Sequence, residues 1–136
     1  MSATLVFDLG AVYQLQTAHI WNYGEIYFGD HQYTNRSSKN ITITFSLTGV
    51  EGSFTDPKPF TLGEAPKTAT YAGETLSFGD SVMTAQFVRF DVANNYGSTQ
   101  HTGLGEVRFT AIPEPSSAFA LLGGAAGLFA RRRRRA

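Results

Sequence analysis

Residues 40–47, Asn-Ile-Thr-Ile-Thr-Phe-Ser-Leu, alternate polar and apolar side chains without a break. In an extended chain this puts Ile41, Ile43, Phe45 and Leu47 on one face and Thr42, Thr44 and Ser46 on the other, as a half-buried strand requires. A helix would send the same four apolar groups to opposite sides of its axis. Residues 85–93 repeat the pattern, with Val88, Phe90 and Val92 opposed to Phe87, Arg89 and Asp91. Shorter strand candidates are TLVFDLG (4–10), TAHIWN (17–22), TLSFGD (75–80) and GEVRFTA (105–111), each bounded by Gly, Asn or Asp. No capped stripe with a 3.6-residue period interrupts the first 112 residues, and glycine-containing turns such as TGVEG, FGD and NNYG separate the runs. The expected architecture is therefore all-β, an antiparallel jelly roll or β-sandwich.

Length and charge narrow the partners. At 136 residues the chain is sized for one domain. Its formal net charge of zero hides an asymmetry, because five of its eleven basic residues are Arg131, Arg132, Arg133, Arg134 and Arg135. The remaining six basic side chains face eleven carboxylates, an acidic body without the basic stripe that nucleic acid demands. With no cysteine, disulfides and thiolate metal sites are excluded.

The chain divides at residue 112. Beyond it come Pro113, Glu114 and Pro115, an uncharged run at 116–130, and then the arginine cluster. As a helix that run is about 22 Å long at roughly 1.5 Å per residue, short against a hydrocarbon core of about 30 Å. A short C-terminal transmembrane-type helix is the expectation, with arginine snorkelling making up the deficit. Clustered arginine stays on the cytoplasmic side, which places residues 1–112 outside. The two prolines bar a continuous helix upstream and present Glu114 in an extended segment. A plain single-span anchor is the alternative.

The order Pro-Glu-Pro, apolar segment, terminal arginines resembles the PEP-CTERM sorting signal of Gram-negative bacteria, over residues 113–136. The resemblance implies export, transient membrane retention and processing near Pro113-Glu114-Pro115 by an exosortase-type membrane peptidase. It also implies association with surface and extracellular polysaccharide. The opening MSATLVFDLG has neither a basic region nor an apolar stretch long enough for a signal peptide, so an N-terminally truncated reading frame, starting inside a strand, is expected.

The body is similar to discoidin-like (coagulation factor 5/8 type C, galactose-binding-like) domains. The similarity rests on LVFDLGAVYQLQTAHIWNY (5–23), RSSKNITITFSLTG (36–49) and VRFDVANNYGSTQHTGLGEVRF (88–109), in that order. What this implies is a non-catalytic module that binds glycans, lipids or proteins through loops at one end of a jelly roll. A structural calcium site belongs to the same resemblance, with Glu106 as this chain's candidate ligand; the competing reading is a solvated strand carboxylate.

The binding candidates follow from chemistry at strand ends and turns. Trp21 offers an indole to stack on a sugar, or else fills the core. Tyr23 lies beside it. Arg36 offers a fork of donors to hydroxyls or a carboxylate, or else ties down a loop. Asn94, Asn95 and Tyr96 put amide and phenol groups on a long glycine-containing loop, where turn chemistry is the alternative. No catalytic residues are expected. His19, His31 and His101 lack metal-ligand spacing, no nucleophile motif exists, and Glu25 with Asp30 is only an imaginable glycosidase pair. Two function classes remain open: a polysaccharide-binding module without cofactor, and a structural matrix or envelope protein that binds protein partners and no sugar. For the tail, neutral residues in place of Arg131–Arg135, in a gene carrying its export signal, should abolish membrane retention and processing. Unchanged mass and localisation of the mature protein would show that the arginines are not read.

Overall fold

The computed structural model describes residues 1–25, 33–68 and 70–112. The expected transmembrane-type helix lies outside the described residues, as do Pro113, Glu114, Pro115 and the five arginines. Among the described residues no helix is long and apolar enough to cross a membrane. Six strands are present: β1 Ala3–Asn22, β2 Asn40–Ser46, β3 Thr55–Thr61, β4 Glu74–Ser77, β5 Met83–Val92 and β6 Leu104–Ile112. A short 3₁₀ turn covers Thr34–Arg36. Every strand pairing is antiparallel, in the order β3-β2-β5-β1-β4 with β6 on β1. The expected antiparallel β architecture is thus present, but as one sheet curled into a half-barrel.

One strand makes the curl. TLVFDLG and TAHIWN, read separately above, both belong to the 20-residue β1. Its first arm, from Ala3 to Asp8, pairs with β5, and its second, from Thr17 to Ile20, lies between β4 and β6. Between the arms the register shifts from Asp8 to Tyr13, around Gly10 at φ 79°. The Asp8 carboxylate accepts the Gly10 N–H at 2.9 Å and holds this corner, where a residue with Cβ would be strained. A second shift, between Leu15 and Thr17, changes which side chains point inward. Leu5 and Phe7 pack on the core from the first arm, then Ala18, Ile20 and Asn22 are buried in the second. A bulge of one residue reverses the faces in this way.

The core closes between the arms. Phe7 of β1, Phe90 of β5 and Phe109 of β6 meet edge to face, with centroids 5.3 Å, 5.7 Å and 6.2 Å apart. Phe45 of β2 meets Phe78 at 4.9 Å. Ile41, Ile43, Val88, Phe90 and Val92 are all buried, as their alternation predicts. Leu47 departs from that pattern and is 55% exposed, because β2 ends at Ser46 and its hydroxyl turns the chain by accepting the N–H groups of Thr48 and Gly49. The sheet also has a strand the alternation does not announce, β3, with sequence TDPKPFT. Two prolines are tolerated there because β3 is an edge strand, and they blunt that edge against further pairing.

Asp in place of Ile43 or Phe90, both fully buried, should cost several kcal/mol by putting an unpaired charge in this core. The chain shortened to Ile112 should remain soluble and mainly β by circular dichroism. Tolerance of both substitutions, or substantial helix in the shortened chain, would contradict the fold.

Candidate functional site

The loops meet at the end of the half-barrel where β1 finishes, and a buried amide holds them there. Asn22 is inward-facing because of the Leu15–Thr17 bulge, and only 3% exposed. Its Nδ2 donates to the carbonyls of Ser38 and Gly63, both at 2.7 Å, and its Oδ1 accepts the N–H groups of Ser38 at 2.8 Å and Tyr23 at 3.0 Å. Both donors are used and the oxygen is doubly accepted, so the buried amide is satisfied. The adjoining Ser37 and Ser38 are also fully buried. Ser37 Oγ donates to the Tyr23 carbonyl and accepts the Ala65 N–H, while Ser38 Oγ donates to the Gly103 carbonyl. Backbone bonds from Tyr96 to Ser37 and from Gly103 to Arg36 complete the knot.

This knot brings Tyr23, Arg36, His101, Thr102 and Gly103 around a cleft of about 190 Å³. Arg36 ends the 3₁₀ turn, and its guanidinium carbon lies 3.9 Å from the centre of the Tyr33 ring. Its Nη1 is 3.6 Å from Glu25 Oε2, an ion pair too long to be a hydrogen bond. The Tyr23 hydroxyl donates to the same Oε2. That hydrogen bond, followed by burial, raises the Tyr23 pKa, while Arg36 pulls it down. A phenol that donates to a carboxylate resists ionisation, so Tyr23 stays a hydrogen-bond donor at neutral pH.

Of the residues expected to bind, Tyr23 and Arg36 come together at the cleft. Asn94, Asn95 and Tyr96 have their polar atoms committed to the loops themselves. Asn94 Oδ1 accepts the Asn40 N–H at 3.0 Å. Asn95 Nδ2 donates to the carbonyls of Ser98 and His101, at 2.9 and 2.8 Å, and its Oδ1 accepts from Gly97. The Tyr96 hydroxyl donates to the Leu62 carbonyl. Trp21 is neither in the cleft nor in the core. It lies on the outer face of β1, stacked on His19 with centroids 4.2 Å apart and with Arg108 over its ring at 4.9 Å; its N–H donates to the Tyr71 carbonyl. Glu106 is exposed and accepts from Arg108 at 2.6 Å. Among the described residues no three carboxylate, imidazole or thiol groups cluster to hold a metal. Asp30, the imagined partner of Glu25, lies outside the described residues.

His101, Thr102 and Gly103 reach the cleft through pairing between residues far apart in sequence, Ser37 with Gly103 and Ser38 with Asn95. No local pattern signals those bridges. Glu25 and Tyr33 flank a Gly- and aromatic-rich stretch, and the hydrogen bond from the Tyr33 N–H to the Glu25 carbonyl brings their ends together.

Comparison with known proteins bears on the two parts of the chain differently. No curated protein matches it. Among solved structures, the chain is similar to fragment 298–461 of a protein assigned as a chitobiase from Bacteroides thetaiotaomicron, with a TM-score of 0.58 and 18% identity. The match covers 84% of this chain and 63% of that one, so this chain spans under two thirds of its structural neighbour. At this identity the likeness is one of fold. Residues 111–135 match the PEP-CTERM protein-sorting motif, which implies an exported protein that an exosortase recognises and that its C-terminal region anchors in the cell envelope. The chain therefore carries a PEP-CTERM sorting motif behind an antiparallel β body.

Proposed function

We propose that residues 1–112 are a non-catalytic module that engages extracellular polysaccharide through the Tyr23–Arg36–Gly103 cleft, and that residues 113–136 are its sorting segment. The observation that carries this reading is the contrast between the cleft and the neighbouring loops. Asn95 and Tyr96 spend their side-chain polar groups on the loop backbone, whereas among the described residues the Arg36 guanidinium engages only side chains, those of Tyr33, Glu25 and Tyr23. A guanidinium fixed by an aromatic stack, next to a phenol, a threonine hydroxyl and an imidazole, suits hydroxyl-rich ligands.

Two further facts support the reading. A sorting motif implies export to the envelope, a setting that supports a surface-glycan ligand. The fold neighbour is a fragment of a protein assigned as a chitobiase, a carbohydrate-active name. Catalysis is not part of the proposal; Glu25 is engaged by the Tyr23 hydroxyl and the Arg36 charge. A small open cleft buries little ligand surface, so affinity should fall in the range of roughly micromolar to millimolar.

Arg36→Ala should weaken polysaccharide binding about tenfold or more, because it removes a charged donor whose side chain is 22% exposed beside the cleft. Asn95→Ala should instead lower the melting temperature by opening the 95–101 loop. Affinity electrophoresis with melting curves separates the two. If the intact chain binds no polysaccharide, the structural-protein alternative replaces this reading.

A further inference from the structure

We infer that the cleft is selective for neutral sugars bearing adjacent hydroxyls, and that Glu25 is the group that rejects anionic ones; the inference rests on reading the cleft as a glycan site. The Arg36–Glu25 pair is unusual in being close without being closed. Its nearest atoms are 3.6 Å apart, and each partner is held by something else. The guanidinium lies over the Tyr33 ring, its carbon 3.9 Å from the centre. The carboxylate is fixed through Oε2 by the Tyr23 hydroxyl, and among the described residues its Oε1 has no hydrogen-bond partner. Arg36 and Tyr23 line the cleft, and the Glu25 carboxylate stands beside both, outside the lining itself.

A hydroxyl both donates and accepts. Two neighbouring hydroxyls on a sugar ring can accept from Arg36 and donate to Glu25 at once, and neither protein charge then needs to be displaced. A ligand carboxylate or sulfate can only accept. It would satisfy Arg36 while standing within a few ångströms of Glu25, where two like charges repel in a partly desolvated site. Nothing at longer range offsets this. Residues 1–112 hold ten carboxylates against six basic side chains, so the body repels polyanions. Lys39, the other cation near this end, lies over the Tyr96 ring at 5.4 Å.

The test uses the full chain in detergent micelles, in one mildly alkaline buffer throughout. The two probes are a neutral polysaccharide and the same polymer with its primary hydroxyls oxidised to carboxylates. The native chain should bind the neutral polymer roughly tenfold more tightly than the oxidised one. Glu25→Gln keeps an acceptor for the Tyr23 hydroxyl but removes the charge, and should reduce that preference about tenfold by strengthening binding of the oxidised polymer. Glu25→Ala repeats the test should the glutamine variant fold poorly. Equal binding of both polymers by the native chain, or an unchanged preference in Glu25→Gln, overturns the selectivity; if Arg36→Ala still abolishes that binding, the cleft itself survives as the site. Binding of neither polymer overturns the cleft and the selectivity together.

Discussion

The carboxamide of Asn22 is the constraint on which the functional end of this protein depends. Its four hydrogen bonds join the end of β1 to the Ser38 backbone and to Gly63, segments separated from it by 16 and 41 residues. No apolar side chain could replace it without leaving buried backbone groups unpaired, each at a cost of about 1–3 kcal/mol. Ser37 and Ser38 extend the same knot to the 101–103 loop. The polar core at this end is a substitute for strand pairing, which cannot reach so many loops at once. Rigidity here is what lets Tyr23, Arg36 and Thr102 define a cleft at all.

That amide faces inward because of two of the irregularities in β1. Gly10 lets one strand serve both arms of the curled sheet, and the bulge between Leu15 and Thr17 reverses the inward face. Without the second, Trp21 would point to the core and Asn22 to solvent. The outer position of Trp21 explains its company: His19, Arg108 and the Tyr71 carbonyl all lie on that face and occupy the indole. The same face carries the Glu106–Arg108 pair, whose guanidinium makes an unsuitable neighbour for a cation. Tyr23, two residues further on, lies past the end of β1 at Asn22 and lines the cleft instead.

Local alternation made the central strands legible. Ile41, Ile43, Val88, Phe90 and Val92 are buried where a period of two puts them, since β2 and β5 lie side by side with one face on the core. The C-terminal motif was equally legible, because its three parts are contiguous. The edge strand β3 was not, since Pro57 and Pro59 mask a strand that needs few ladder donors. Nor was the cleft legible beyond Tyr23 and Arg36. Glu25 and His101 come near Arg36 through the Tyr33–Glu25 backbone bond and the Ser37 and Ser38 bridges, which no spacing rule encodes. The amides of Asn94 and Asn95 look alike in sequence to ligand-binding groups, and only the fold shows that backbone groups have claimed them.

The two halves of the chain make sense together. A sorting motif implies a protein exported to the envelope, and the β body presents a cleft held by a loop knot of buried hydrogen bonds. The central claim is that ligand is met at this cleft and not on the Trp21 face. Nuclear magnetic resonance titration of the labelled chain in micelles with a neutral polysaccharide fragment tests it most directly. The account predicts amide shifts that saturate at Tyr23, Arg36, Thr102 and Gly103 while Trp21, His19 and Arg108 stay still. Saturable shifts on the His19–Trp21–Arg108 face, with the cleft unmoved, would contradict it.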